Sequence, residues 1–365
     1  MPRSLPLRAT LLGLTLAAAA ATPLAQQVPA ATHVLVVTMD GMRWQEVFGG
    51  MSAALLTKEG GGVSEPAPVE QQFGGATPEA RRATLMPFLW TTIAKNGQLF
   101  GDPGHGSDVR VTNGLRFSYP GYNELLTGAP DPRVTSNDKV WNPNVTVLEW
   151  LQQRPGYAGK VAGFSSWELL PWILNEPRSH IPSNASGPPI TNPASERERA
   201  INDFAADLPP YWGGERFDAA TGLGALEYLR RQRPRVLYVM LGETDEWAHG
   251  RRYDLYLDAA SRNDRFIRQL WEAAQSMPEY AGKTALIVAT DHGRGDSAAN
   301  WTGHGEKVPE SDRIWMAVMG PSVRAAGVRS GVSATQAQFA ATIAALVGED
   351  YQAAQPKAAP PLDLK

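Results

Sequence analysis

The sequence predicts an α/β fold, a three-layer α/β/α sandwich around a mostly parallel central sheet. Apolar runs bounded by turn residues recur at HVLVVTMD (33–40), KVAGFSS (160–166), RVLYVMLGETD (235–245), KTALIVATDHG (283–293) and IWMAVMG (314–320). Their continuous apolarity suits strands buried on both faces. Helical patterns lie between them at 86–97, 144–153, 221–232 and 255–275, and a last one covers 334–348. In a sheet built this way, ligands sit beyond the carboxyl ends of the strands.

Two stretches break the rhythm. Residues 49–82 are rich in Gly, Ala, Glu and Pro, and residues 167–220 in Pro, Asn, Ser and Trp. Both read as insertions capping a site within a single domain spanning 30–350. The tail, 351–365, has no periodic pattern and reads as loosely ordered. At the other end, Arg3 and Arg8 precede the short apolar run LLGLTLAAAAA and the small residues of TPLAQQ. This is the layout of a signal peptide over 1–25, with an apolar part too short to span a bilayer comfortably.

Of the 365 residues, 43% are hydrophobic, enough for a large core. The formal net charge of −3 argues against a sequence-independent nucleic-acid binder. An anionic substrate must then be attracted by something local, such as metal ions or a helix N-terminus. There are no cysteines, so thiolate metal sites and a cysteine nucleophile are excluded. The Ala-, Gly-, Pro- and Arg-rich composition suggests a protein of the bacterial envelope, periplasmic or secreted.

Side chains that bind metals gather where the strands end. Asp40 closes the first strand, and Asp245 and His249 follow another in TDEWAHG. Asp291 and His292 end LIVATDHG, and His304 lies in WTGHG. Asp245 and His249 are four apart, so one helical turn puts both on the same face. Histidine and carboxylate suit Zn²⁺, or Mn²⁺, when no thiolate is available. Singly, each motif has a plainer reading as a cap, a turn or a surface pair. Together they occupy successive strand ends on one edge of one sheet.

The ordered set resembles the alkaline phosphatase superfamily, and most closely its type I phosphodiesterase/nucleotide pyrophosphatase branch. The matching segments are VVTMDGMRW (36–44), FSYPGYNELLTG (117–128), GETDEWAHG (242–250), ATDHGRG (289–295) and GHG (303–305). FAATIAALVG (339–348) resembles that family's C-terminal helix. The resemblance implies an alkaline phosphatase-like catalytic domain and two divalent metal ions, Zn²⁺ or Mn²⁺. Asp40, Asp291 and His292 would hold one ion together with the nucleophile Ser118; Asp245, His249 and His304 would hold the other. It also implies hydrolysis of a small-molecule or nucleotide-like phosphate ester through a phosphoserine. A phosphomonoesterase and a catalytically silent metal-binding relative are the alternatives.

The chain departs from the branch at its nucleophile. The branch has threonine followed by Phe-Pro-Asn; here the order is Ser118-Tyr119-Pro120-Gly121. Gly121 cannot supply the asparagine amide that contacts the phosphoryl oxygen. Arg43, Arg116, Asn113 and Asn123 are candidate substitutes, and Tyr119 a further substrate contact. The aromatics Trp44, Phe48, Tyr122 and Trp301 lie beside the motifs, where each is either core or a stacking surface. His105 is a loop histidine that either lines the site or is incidental. A sulfatase is disfavoured because Tyr122 stands where its modification motif needs arginine. Tyr119-Pro120-Gly121 reads as a turn and Tyr122–Thr127 as the start of a helix, whose N-terminal N–H groups would form an anion site beside Ser118.

Overall fold

A computed structural model of the protein describes residues 1–2, 30–185 and 187–365. The expected signal peptide therefore falls, but for Met1 and Pro2, outside the described residues. The strands are β1 (His33–Met39), β2 (Gly97–Phe100), β3 (Asp108–Arg110), β4 (Val161–Ser165), β5 (Ser183–Ala185) and β6 (Val236–Leu241). They continue as β7 (Thr284–Ala289), β8 (Arg313–Ile314), β9 (Met316–Met319), β10 (Gly327–Val328) and β11 (Ser333–Thr335). One sheet has eight strands in the order β10-β2-β9-β7-β1-β6-β4-β5; a small one has the order β11-β3-β8. In the large sheet only β9 runs antiparallel to its neighbours, β2 and β7. The mostly parallel α/β fold expected from the sequence is the fold observed.

The three central strands are buried on both faces, as their continuous apolar runs require. Leu35, Val37 and Met39 of β1 join one core with Leu237, Val239 and Leu241 of β6 and Leu286 and Val288 of β7. The alternate residues Val34, Val36, Val236, Tyr238, Ala285 and Ile287 join a second core on the other face. The first core is covered mainly by the helices Asp218–Gln232 and Tyr253–Gln275, the second by Ser118–Thr127, Val147–Gln152 and Gln338–Leu346. A strand residue alternates faces with period two, so one register fixes both cores at once. Here Val34 pairs with Val236 and Met39 with Leu241.

Several elements differ from expectation, each for a local reason. The run 314–320 splits at Trp315 into β8 and β9, which serve different sheets. The indole N–H of Trp315 donates to the Met42 carbonyl at 3.0 Å. Strands β2, β3, β5, β10 and β11 are four residues or shorter, too short to show a period. The segment 49–82 folds into short helices whose Leu55, Leu56, Val63 and Phe73 are buried in the first core. The segment 167–220 supplies edge strand β5 and the helix Glu196–Asp207. No helix of the described residues is long and apolar enough to cross a membrane.

The tail corrects its expectation of loose order. Tyr351–Ala354 form a helical turn, and Leu362 and Leu364 are buried in the second core. The buried Gln98 of β2 donates through Nε2 to the carbonyls of Leu364 (2.8 Å) and Arg324 (3.0 Å). Two leucines separated by one residue anchor this segment, a pattern too brief to stand out amid Ala and Pro. Deleting residues 361–365 should lower unfolding free energy by about 2–4 kcal/mol, from two buried leucines and one of the two hydrogen bonds of the Gln98 amide. Urea denaturation of the full-length and shortened chains measures it.

Candidate active site

Strands β7, β1 and β6 are neighbours and end at the same edge of the sheet. Beyond β1, the Asp40 N–H bonds the Leu241 carbonyl at the end of β6 (2.8 Å). Beyond β7 come Thr290, Asp291 and His292. Beyond β6 the helix Glu243–His249 carries Asp245 and His249 one turn apart. A loop returns His304 to the same place. The six metal-ligand candidates read from the sequence are thus brought together.

Their polar atoms converge. His292 Nε2 lies 3.3 Å from Asp40 Oδ1, 3.4 Å from Asp291 Oδ2 and 3.7 Å from Asp245 Oδ1. His304 Nε2 lies 3.9 Å from Asp245 Oδ1 and 3.0 Å from His249 Nε2, which itself is 3.1 Å from Asp245 Oδ2. Two groups have the compactness of a metal site: Asp40, Asp291 and His292, and Asp245, His292 and His304. The first coincides with the set implied by the resemblance. In the second, His292 stands between the two groups, and the more exposed His249 touches Asp245 and His304 from the mouth.

The residues fit a metal. Asp40 Oδ1, Asp291 Oδ2 and His292 Nε2 are buried with no hydrogen-bond partner. His292 Nδ1 lies 3.0 Å from the Gly293 carbonyl and His304 Nδ1 3.2 Å from the Arg116 carbonyl. A carbonyl only accepts, so each Nδ1 carries the proton and each Nε2 offers a lone pair to the cluster. Burial, together with the neighbouring Asp245, pushes the Asp40 carboxyl well above the usual range. Burial and Asp40 do the same to Asp291. Burial, reinforced by His292, lowers the His304 imidazole to about 2, so it stays neutral. Buried lone pairs without donors could serve as a cation's coordination shell, and the O/N donor set is one that Zn²⁺ or Mn²⁺ accepts.

Arg294, which sequence reasoning passed over, and Tyr122, read there only as core or a stacking surface, shape this cluster. Arg294, fully buried, donates to the carboxylate and the carbonyl of Asp245. Burial disfavours an ionised Asp245, but Arg294 and His249 hold its carboxyl well below the usual range. The second is Tyr122, whose hydroxyl donates to Asp40 Oδ2 at 2.9 Å. Its position four residues after Ser118 was the available signal, since residues three and four apart share a helix face. Gly41, at φ +56°, is obligatory here: a Cβ would lie 2.6 Å from Asp245 Oδ1 and 2.8 Å from Arg294 Nε.

Ser118 opens the helix Ser118–Thr127, whose ten residues are all buried. Its orientation follows from its neighbours on that face. Tyr122 reaches Asp40, and a Cβ on Gly121 would lie 2.5 Å from the Asp291 carbonyl oxygen. The face shared by Ser118, Gly121 and Tyr122 therefore lies against the carboxylate cluster. Gly121 is explained by this approach, and no side chain fits at that position.

The substrate-side expectations fare differently. Asn123 is fully buried and turned about 100° from Tyr122, with its amide bonded to Asn144 and the Ala129 carbonyl. The Tyr119 hydroxyl donates to the Val140 and Trp172 carbonyls. Neither points at the cluster, because helix periodicity carries both off Ser118's face. Arg43 is buried and paired with Glu46 at 3.3 Å. Arg116, at φ +58°, orients His304 through its carbonyl, and its guanidinium has no partner among the described residues. Asn113 shapes the loop before Ser118 by bonding Glu124 and the Leu115 and Arg116 N–H groups. Phe48 and Trp301 are core, and His105 pairs with Asp102. The expected anion cradle is also smaller. Asn137 Oδ1 accepts the Tyr119 N–H (2.9 Å), Pro120 has none, and the Gly121 N–H bonds the Phe117 carbonyl.

Residues 84–356 of the 365 match the type I phosphodiesterase / nucleotide pyrophosphatase family. The chain belongs to that family. The match includes Ser118, Asp245, His249, Asp291, His292 and His304; Asp40 lies before it and reaches the site through β1. Among solved structures, lipoteichoic acid synthase LtaP from Listeria monocytogenes is similar at 10% identity and TM-score 0.55, over 88% of this chain and 73% of that one. Alkaline phosphatase PafA is similar at 11% identity and TM-score 0.53, over 89% and 97%. An alkaline phosphatase superfamily protein from Vibrio parahaemolyticus gives 13% identity and TM-score 0.50, over 88% and 69%. At these identities the likeness establishes the fold. No curated protein matches in sequence. Members of the superfamily use divalent metals, and family and fold together indicate a hydrolase acting on phosphate esters.

Tyr122→Phe keeps the ring and removes the donor to Asp40. Zinc affinity should fall about 10-fold or more, with the core intact, by competition with a chromophoric chelator. Metal uptake should release protons, because Asp40 and Asp291 are held protonated above the usual carboxylate range and must ionise to bind. Apparent affinity therefore rises with pH. Titration calorimetry in two buffers of different ionisation enthalpy counts the protons.

Proposed function

We propose that the protein is an exported, two-metal phosphoric ester hydrolase that uses Ser118 as nucleophile and prefers diesters. The observation that carries this is the placement of Ser118 on the helix face that touches both Asp40 and Asp291. Asp40, Asp291 and His292, with Ser118, would hold one ion, and Asp245, His249 and His304 the other. Bound divalent ions would neutralise developing negative charge and lower the pKa of the hydroxyl groups they contact.

The chain's own residues supply position. The buried helix fixes Ser118 Oγ so that attack on phosphorus forms a P–O bond as the bond to the leaving alcohol breaks. With a monoester the intermediate is a phosphoserine; with a diester it is the serine phosphodiester that keeps the second substituent, and in both cases water then breaks the Ser118 Oγ–P bond and regenerates the hydroxyl. The backbone carbonyls of Gly293 and Arg116 keep His292 and His304 in the tautomer that faces the cluster. Arg116, unpaired and two residues before Ser118, is a cation available to the substrate.

A dianionic monoester calls for several cations around its oxygens. Here Glu46 engages Arg43 and Asp245 engages Arg294, leaving Arg116 alone. That shortage favours a singly charged diester. Arg116 is also the feature that supports a second reading, phosphomonoesterase activity. The substrate in either reading is a small-molecule or nucleotide-like ester. Export to a bacterial periplasm or the medium rests on the layout of residues 1–25.

Zinc-loaded protein should hydrolyse an aryl phosphodiester faster than the matched monoester, and chelator should abolish both rates. Ser118→Ala should lower kcat by about 1,000-fold or more while retaining metal. A variant as fast as the parent would overturn the role of Ser118.

A further inference from the structure

The helix Glu243–His249 carries Asp245 and His249 but has only seven residues. A helix this short is marginal by itself, so its position depends on what holds it from outside. A buried carboxylate does so. Asp218, which opens the helix Asp218–Gln232, accepts the Gly242 N–H through Oδ1 at 2.8 Å and the Glu243 N–H through Oδ2 at 3.1 Å. The Ser166 hydroxyl and the Asn263 amide donate to the same two oxygens, at 2.5 Å and 3.0 Å. Four donors thus fill the acceptor positions of this carboxylate. Glu243, also buried, returns the contact: its Oε1 accepts the Asp218 N–H at 2.8 Å. Its Oε2 accepts the Trp247 indole N–H at 3.2 Å and Arg262 at 2.6 Å.

The pair reaches the metal-ligand candidates through a single peptide unit. The N–H of the Gly242–Glu243 peptide is the one that Asp218 Oδ2 accepts. The carbonyl of the same peptide accepts the N–H of Asp245 at 3.0 Å. A peptide is planar, so fixing one edge fixes the other. Further along, Trp247 lies between Asp245 and His249, and Glu243 holds its indole. Both Asp218 oxygens are taken up by their four donors, so Asp218 acts on the cluster through the backbone.

We propose that Asp218 and Glu243 are positioning residues for the second metal ion, holding the turn that aims Asp245 and His249 at it. The proposal rests on the two-metal reading above. Ligands locked in place by supporting hydrogen bonds lose little freedom when an ion binds, so loosening the support weakens binding. The ion assigned to Asp40, Asp291 and His292 rests on the ends of β1 and β7 instead, outside the reach of this pair.

Asp218→Asn keeps the shape and one acceptor oxygen. Whichever way the new amide turns, its NH₂ group confronts one of the two backbone N–H groups of the turn. Glu243→Gln sets the same conflict against either the Asp218 N–H or the Trp247 indole. Ser166→Ala is the control, since it removes one donor to Asp218 and leaves both backbone bonds in place. Zinc would be titrated into metal-free parent and variants against a chromophoric chelator. Melting temperature and hydrolysis of aryl phosphate esters would be measured on the same samples. The parent should take up two ions. Asp218→Asn and Glu243→Gln should each weaken one ion by roughly 10- to 100-fold and leave the other as in the parent. Combined with His249→Ala, which removes a ligand of the second ion, the loss from Asp218→Asn should be less than additive. Ser166→Ala should lower the melting temperature and keep both affinities. The proposal is overturned if a folded Asp218→Asn or Glu243→Gln protein keeps both affinities, or if the losses in the double variant add. It is equally overturned if Ser166→Ala weakens the same ion as much, because the pair is then merely structural. A parent that binds fewer than two ions overturns the two-metal reading and this inference with it. A parent that binds two ions and hydrolyses no ester overturns the hydrolase reading alone.

Discussion

Three carboxylates lie within 3.7 Å of one imidazole nitrogen, where the ends of three parallel strands meet. At an effective dielectric near 20, two like charges 4 Å apart repel by about 4 kcal/mol, so this grouping opposes folding unless something offsets it. Arg294 offsets part, beside Asp245. Protonation of Asp40 and Asp291 offsets more in the metal-free protein. A divalent cation would replace those protons. The surrounding structure holds together an arrangement that its own charges would disperse, and the stability for this comes from the two apolar cores beneath.

The helix Ser118–Thr127 shows how the holding is done. A fully buried helix must satisfy every polar side chain it carries. Glu124 accepts from the backbone and side chains of Thr112 and Asn113, Asn123 bonds Asn144, and Thr127 bonds back to the Asn123 carbonyl. These contacts clamp the approach loop to the far end of the helix that Ser118 begins. Gly121 and Tyr122 fix the remaining face, one by absence and one by a hydrogen bond. With so many constraints on its rotation, the helix presents Ser118 in one orientation only.

Much of this was legible in the sequence, for physical reasons. Buried parallel strands write themselves as apolar runs, so β1, β6 and β7 stood out, and polar residues closing those runs are among the candidate metal ligands that the fold brings together. A helical turn between Asp245 and His249 followed from their spacing. The substrate side was far less legible. Tyr119 and Asn123 are one and five residues beyond Ser118, and only helix rotation reveals that they face away. Arg43 read as a free cation until its pairing with Glu46 was visible, a contact within one turn of a helix only six residues long. Asn137 lies in a loop with no period, and its nearness to Tyr119 is a matter of tertiary folding. Short strands such as β5 left no pattern at all.

The two halves of the site are thus under different constraints. The ligand half is set by sheet register: β1 pairs Thr38 with Ala289 and with Met240, and a slip of one residue would turn Asp40 toward the wrong face and exchange the two cores. No ligand there can move alone. The loop after the helix Ser118–Thr127 is joined to it by the Tyr119 N–H, which Asn137 Oδ1 accepts, and by the Tyr119 hydroxyl, which donates to the Val140 carbonyl. Changing the exposed part of that loop leaves the sheet register untouched. The glycine at 121, required by contact with Asp291, leaves the rigid half without a side chain at that position. The loop is the part of this region able to change without rebuilding the sheet, whereas the residues at the strand ends are held by register.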